Sequence, residues 1–493
     1  MSPLRPLAGL LVALVAAPAA ELAADPNVRA ALDRISAASM RGHLSFLASD
    51  LLEGRGTPSR GLDIAAEYIA AQYRRAGLEP MGDDGYFQTA RFSTFEPQKE
   101  GLKFELEGDG KQAAPPADQV TTATTSAVSL SATPVLRLTA ADAEKAAQWK
   151  HDDVKDKAIA IHFRSNFDRE GFRLYATVRR LRPALLILTG SPARGRRTQL
   201  VAQDARESET PVITVGEGDA AKLLEETDGL KISVTIPAPK ETAVTLRNVA
   251  GLLRGSDPVL KDSYILVTGH YDHMGIRPTG DGDRIFNGAN DDASGTVSVM
   301  EIAAALAGMS PKPKRSIVFV ALFGEELGLL GSQYYGRHPL APLVKTIANV
   351  NLEQVGRTDS SDGPQIAMGS FTGFDYSDMP ALFERAGAQV GVKVYKDAKR
   401  SDPFFSRSDN QALADLGVPS HTLCVAFEFP DYHGLGDEWQ KIDYDNMAKV
   451  DRMVALGVLM MADSDAPPRW NTTDAKAKKY SDAWNALHSE ATH

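Results

Sequence analysis

Two adjacent acids, Glu325 and Glu326, close the apolar run Phe319-Val-Ala-Leu-Phe-Gly324 and lead into Leu-Gly-Leu-Leu-Gly-Ser332. The β-branched and aromatic content before them reads as a fully buried strand, and the glycines and amphipathic stretch after them read as a loop entering a helix. In an open α/β sheet ligands sit beyond the carboxyl ends of the strands. Neighbouring side chains diverge there, so one acid can bind a metal while the other faces a bound water. An isolated acid pair is also what a solvated turn looks like, so the decision rests on the rest of the chain.

Four further places offer metal-type residues after an expected strand or in a loop. In Gly269-His-Tyr-Asp-His273, His270 is the favoured ligand and Asp272 the carboxylate that fixes its tautomer, with His273 competing for the ligand role. In Asn287-Gly-Ala-Asn-Asp-Asp-Ala-Ser-Gly295, Asp291 could bridge two metals through its two oxygens, although Asp and Ser are also ordinary helix caps. Glu353 ends another strand in Asn351-Leu-Glu-Gln354. His433 and Asp437 repeat the histidine-plus-acid theme in Asp431-Tyr-His-Gly-Leu-Gly-Asp-Glu438. Each place has a bland explanation by itself. Together they supply histidines and carboxylates at the ends of successive elements, the donor mix that two zinc ions require.

The elements that must position these residues alternate. From Arg247 onward the pattern is strand over 264–268, helix over 296–307, strand over 316–322, helix over 327–335 and strand over 347–352, which argues for an α/β sheet flanked by helices. Residues 25–92 are helical in pattern, with helices over 38–52 and 61–76 joined by the turn Glu53-Gly-Arg-Gly-Thr-Pro58. Between 96 and 246 short strand-like runs dominate, over 158–163, 184–188 and 211–215, without a cluster of metal-type ligands. That block reads as an inserted accessory domain. After about residue 465 the chain is polar and alanine-rich, the pattern of a peripheral helix or a partly disordered tail.

The chain has 493 residues, room for two or three domains, and 43% hydrophobic and 24% charged residues, ordinary globular values. A net charge of -10 with no lysine or arginine block argues against nucleic acid and anionic membrane surfaces as partners. Arg5, the apolar run 7–17 and the small residues Ala17-Pro-Ala19 have the layout of a secretory signal peptide. That run is too short for a permanent span, and no later segment reaches the roughly 18 apolar residues a spanning helix needs. The expectation is an exported protein, periplasmic or secreted, without a permanent membrane span. The single cysteine, Cys424, allows no intramolecular disulfide and reads as a packing residue.

The order His-x-Asp, Asp-x-x-Ser-Gly, Glu-Glu, an acid after Asn-Leu, then Tyr-His with a following Asp resembles the aminopeptidase Y family of co-catalytic zinc exopeptidases, over about residues 246–455. The inserted block is similar to a protease-associated domain, through Val154-Lys-Asp-Lys-Ala-Ile-Ala-Ile161 and the later 185–190 stretch. The resemblance implies a mixed, largely parallel central sheet flanked by helices, with a mainly-β insertion. The corresponding division is a signal peptide over 1–24, a discontinuous catalytic domain over 25–95 and 246–465, an insertion over 96–245 and a polar tail over 466–493. It also implies two zinc ions, one held by His270, Asp291 and Glu353, the other by the bridging Asp291 with Glu326 and His433.

In that scheme Glu325 is the general base, taking a proton from a water held between the metals and passing it to the leaving amine. Asp272 orients His270, and Tyr432 donates to the developing oxyanion. The chain departs from the family where Glu353 stands for a more usual Asp, and where Asn410 rather than His follows Ser408-Asp409. The function so implied is an aminopeptidase acting on peptide or protein N-termini. The alternatives are a carboxypeptidase or other dizinc hydrolase on the same site, and a catalytically inactive binding module.

Overall fold

The computed structural model describes residues 22–165, 168–190 and 199–490. The expected signal peptide therefore lies outside the described residues, apart from a short helical turn at Leu22–Ala24. Two compact units are present, Met1–Thr89 with Arg247–His493, and Ala90–Leu246. No helix among the described residues is long and apolar enough to cross a membrane.

In the larger unit six strands organise the site: β1 (Tyr264–His270), β2 (Ser316–Leu322), β3 (Thr346–Leu352), β4 (Met368–Phe371), β5 (Lys393–Tyr395) and β6 (Ser420–Cys424). Their order is β5-β4-β6-β3-β1-β2, with Lys240–Leu253 beyond β2. β1, β2, β3 and β6 run parallel to one another. β2, β3 and β6 are buried at every position, as expected of parallel strands covered on both faces. The helix Gly295–Ala307 packs on β1, β2 and β3 and is itself covered by Ala37–Leu47, Arg60–Ala76 and Tyr444–Asp463. All but one of its residues are buried, which explains why it is apolar all round rather than amphipathic. Arg60–Ala76, half-buried, keeps the amphipathic pattern; it starts on the Ser59 hydroxyl, which accepts from the Leu62 N–H, and ends at Gly77 in the left-handed region.

The tail expected over 466–493 does carry a helix, Lys478–Glu490, but the segment leading into it is packed rather than peripheral. Trp470, Ala477 and Tyr480 are buried in one cluster with Tyr376, Phe405 and Ala414, and the helix Lys478–Glu490 follows. The aromatic residues decide this, because each removes far more apolar surface from water than the surrounding lysines and alanines forfeit.

The smaller unit carries an eight-stranded sheet. Its centre is a parallel set, Val128–Leu138, Ala158–His162, Leu185–Thr189 and Val212–Val215, flanked by antiparallel strands. The helices Asp219–Glu226 and Arg169–Arg180 cover opposite faces. Ala158, Ala160, Leu185 and Ile187 pack in the core under the first, and Ile159, Ile161 and Leu186 in the core under the second. This explains the uninterrupted apolar runs at 158–161 and 185–188, where a sheet with one wet face would alternate.

Candidate metal centre

The register of the parallel strands sets the site. His270 at the end of β1 lies opposite Leu322 at the end of β2, Thr268 of β1 pairs with Asn351 of β3, and Leu352 pairs with Leu423 of β6. The strands thus finish level, and the residues just past their ends, Asp272, Glu325, Glu326 and Glu353, converge. Gly324 makes this possible after β2. Its φ of 68° turns the chain out of the strand, and the Glu325–Leu327 turn follows at once.

Two donor groups share Asp291. His270, Asp291 and Glu353 place one donor atom each within 4.8 Å of one another, and so do His273, Asp291 and Glu326. His270 Nε2 is 3.4 Å from Asp291 Oδ1. His433 reaches in from the exposed side, with Nε2 3.2 Å from Asp291 Oδ2 and 3.5 Å from Glu326 Oε2. Donors set tetrahedrally around zinc at roughly 2.0–2.1 Å stand about 3.3–3.4 Å apart, so these spacings fit a metal on each side of Asp291. Imidazole nitrogens with carboxylate oxygens are also the donor types that zinc takes. Glu353 meets His270 and Asp291 despite its extra methylene, and the competition between His270 and His273 ends with one histidine in each group.

Glu325 stands beside this arrangement rather than in it, its Oε2 4.0 Å from His270 Nε2. Its backbone N–H donates to Asp272 Oδ1 at 3.0 Å. Asp272 meets the His270 ring in two ways. Its backbone carbonyl lies 3.2 Å from His270 Nδ1 and its Oδ1 3.5 Å, leaving Nε2 for Asp291. Asp272 Oδ2 in turn accepts from the Thr57 hydroxyl at 3.1 Å.

The electrostatics show an excess of buried acid. Burial pushes Glu325 well above the usual carboxylate range, with Glu353, Glu326 and Asp409 adding to the effect and His270 opposing it. Burial likewise pushes Glu353 up to about 7. For Asp291 burial acts upward too, but the close His270 and His433 rings outweigh it and hold the group well below its ordinary value. Burial would lower His270; Asp272 and Asp291 reverse that and raise it well above the usual histidine range. Carboxylates packed this closely call for positive charge among them.

Several residues that hold the site in place are not evident from the sequence. Asp437, expected to pair with His433, instead accepts from the backbone N–H groups of Asn290 and Asp291, each at 3.0 Å, and so fixes the loop that presents Asp291. A backbone N–H is the nearer donor because His433 turns its ring toward Asp291 and Glu326. Asp292 accepts from the N–H groups of His270, Gly295 and Gln354, tying three segments together. Arg55 is buried and donates to the carbonyls of Leu47, Tyr271, Asn287 and Gly288. Burial lowers it to about 10 even with Asp272 and Asp437 nearby. In the sequence Arg55 is one arginine in a glycine turn, and only the carbonyls gathered around it reveal its task. Ser408 stands between Glu353 and the core: it favours the charged form of that carboxylate and accepts from the Asn351 amide at 2.9 Å. Asn410, where the family often has His, accepts from the Thr422 hydroxyl and donates to the Phe405 carbonyl, a structural role.

The donors open into a cavity of about 440 Å³ lined among others by Glu325, Glu353, Tyr432, His433, Phe404 and Arg407. Tyr432 stacks on His433 with ring centroids 4.0 Å apart. Phe404 faces the cavity, whereas Phe405 is buried in the aromatic cluster with Trp470 and Tyr480.

Residues 248–458 match the family model described as Peptidase family M28. Aminopeptidase YwaD of Bacillus subtilis is 31% identical over 272 residues, 54% of this chain and 55% of that protein. A probable zinc metalloprotease of Pyrenophora teres is 41% identical over 122 residues, 24% of this chain and 25% of its own length. The chain thus spans between a quarter and about half of the length of these curated relatives. Among solved structures, an aminopeptidase from Aneurinibacillus sp. strain AM-1 superposes with a TM-score of 0.55 at 18% identity, covering 88% of this chain and 95% of that one. The likeness extends to the fold.

Proposed function

We propose that the chain, whose residues 248–458 match the family model described as Peptidase family M28, is a dizinc aminopeptidase that removes N-terminal residues from peptides. The observation that carries the proposal is the sharing of Asp291 between two donor groups, with the Glu325 carboxylate held alongside them at the cavity floor.

His270, Asp291 and Glu353 would hold one zinc ion, and Asp291, Glu326 and His433 the other. Zinc bound there supplies Lewis acidity toward the scissile carbonyl and makes water a nucleophile near neutral pH. Glu325 accepts the proton of the attacking water and returns it to the leaving amine, and its burial suits a group that must carry a proton in both directions. Asp272 holds His270 in the tautomer that turns Nε2 to the donor group. The Tyr432 hydroxyl, kept protonated by burial and by Asp291 and Glu353, donates to the oxyanion as it develops. The surrounding carboxylates receive the substrate's α-ammonium group. Export through the N-terminal apolar segment, and a protease-associated role for Ala90–Leu246 in restricting substrate size, belong to the same proposal.

One observation favours carboxypeptidase action as a second reading. Arg407 lines the cavity with its guanidinium 4.2 Å over the Phe404 ring, a cation able to receive a terminal carboxylate. A panel of free, N-acetylated and C-amidated peptides, with and without chelator, separates the readings. The aminopeptidase cleaves free and C-amidated peptides from the N-terminus, spares N-acetylated ones and loses activity with chelator. Cleavage of N-acetylated peptides from the C-terminus would transfer the assignment to the second reading.

A further inference from the structure

We propose that His273 is a fourth protein ligand of the second metal, so that the two metal sites are unequal: one closed by protein donors and one left open. The inference rests on the dizinc reading above and goes beyond the donor set drawn from the family pattern.

His273 is buried, on the loop after β1, and neither of its ring nitrogens makes a hydrogen bond. An imidazole carries at least one N–H or lone pair that must find a partner when buried, so this is a costly placement for a packing residue. Its Nδ1 nevertheless comes within 2.8 Å of Glu326 Oε1. A histidine that served only to orient Glu326 would aim an N–H along that line, as an ordinary hydrogen bond requires. Close approach without hydrogen-bond direction is the arrangement of two donors that face a common third point. The same group includes Asp291, and His433 approaches both carboxylates from the other side, its ring centroid 5.9 Å from that of His273.

The position is built for this side chain. Gly288, at φ 58°, leaves no room for a Cβ, which would collide with the His273 ring and the Asp291 carbonyl. Asp291 therefore has His273, Glu326 and His433 on one side, and His270 and Glu353 on the other.

Four protein donors complete the tetrahedron that zinc prefers in a structural site, whereas three leave a position for water or substrate. The His273 side is the anchoring site and the His270 side the open one. This gives unequal metal retention. On titration with a chelator, the wild-type chain loses one zinc ion first and keeps the second at chelator concentrations at least about 10-fold higher, the scale on which groups around a metal alter affinity.

The test uses the full chain loaded with zinc, with metal content measured by mass spectrometry after dialysis against graded chelator, and zinc X-ray absorption to count imidazoles. The expected wild-type result is two-step loss and about 1.5 imidazole nitrogens per zinc. In His273→Ala the expected result is loss of both ions over one range and about 1 imidazole per zinc. Thermal midpoints of the metal-free chains report folding; should His273→Ala fail to fold, His273→Gln and the wild-type imidazole count decide. An imidazole count of about 1 in the wild-type chain, or unchanged two-step retention in the variant, overturns the assignment of His273. A wild-type chain that binds a single zinc ion or none overturns the dizinc reading instead.

Discussion

His270 and His421 are both fully buried, on parallel strands of the same sheet, and their surroundings drive them in opposite directions. Around His421 there are hydroxyl, carbonyl and aromatic groups. Nδ1 donates to the Thr372 carbonyl at 2.8 Å, the Ser377 hydroxyl donates to Nε2 at 2.6 Å, and the rings of Phe405 and Trp470 pack nearby. Burial pushes this histidine down to about 4. Around His270 there are Asp272, Asp291, Glu325 and Asp292, and it is raised well above its ordinary range. Burial thus makes a neutral structural residue of a histidine whose neighbours are neutral. It takes an accumulation of carboxylates, costly in its own right, to reverse that, and such an accumulation has no use in a core unless cations are to sit within it.

The comparison predicts that a change on the His270 side removes function without unfolding the chain, and the largest such effect belongs to Glu325. Glu325→Gln keeps the shape of the side chain and lies outside both donor groups. Peptide hydrolysis is expected to fall on the order of 10²–10⁴-fold, the range of general acid-base catalysis, with zinc content and thermal midpoint as in the wild type. Steady-state kinetics beside metal analysis check this, and undiminished turnover would remove Glu325 from the role of base.

The His421 side is expected to break in the other way. Its folded pKa of about 4 lies below the unfolded value of 6.5, so between those limits the unfolded chain binds more protons. Stability from this group is fully present above about pH 6.5 and is lost as pH falls toward 4, a loss of about 3 kcal/mol for one buried histidine. In urea titrations at a series of pH values, His421→Gln should flatten that window relative to the wild type. Equal slopes in the two chains would show that His421 is not the neutral residue its neighbours imply.

Asp272 tests the comparison at its margin, because it touches His270 without belonging to a donor group. Asp272→Asn keeps the backbone carbonyl facing Nδ1 and removes only the carboxylate. Partners of metal-bound histidines of this kind are worth about 10–100-fold in metal affinity or activity, and that loss is expected here in zinc competition assays. A larger loss would mean that the Glu325 N–H and the Thr57 hydroxyl, which share this carboxylate, were also released.

The same contrast explains what can be read from the chain directly. β1, β2 and β3 are apolar runs ended abruptly by acids or a histidine, so both the strands and the chemistry at their ends are legible from local pattern. Arg55, Asp292 and Asp437 are not, because each serves backbone groups of segments mostly distant in sequence, and a backbone N–H or carbonyl has no residue type to betray it. Asp437 is the sharpest instance. Its spacing from His433 suggests a pair, yet it holds the loop of Asn290 and Asp291, 147 and 146 residues earlier. The packing of the tail is hidden for a related reason: its composition is polar on average, while a few residues, Trp470, Ala477 and Tyr480, enter the buried cluster.

The smallest expected effect concerns Ser408, which stands between the two kinds of surroundings. Its hydroxyl accepts from the Asn351 amide within a neutral network that continues to Thr422 and Asn410, and it favours the charged form of Glu353 in the donor group. Ser408→Ala removes one polar contact to a carboxylate and leaves an amide donor that still reaches Thr422. The expected cost is about 1 kcal/mol, or roughly 5-fold. If the hydroxyl holds Glu353 for a metal, that cost appears as weaker zinc binding at the His270 site with an unchanged metal-free midpoint. If it belongs to the core network, the midpoint of the metal-free chain falls and zinc affinity stays the same. Measuring both quantities on the one variant locates the boundary between the site and the frame that carries it.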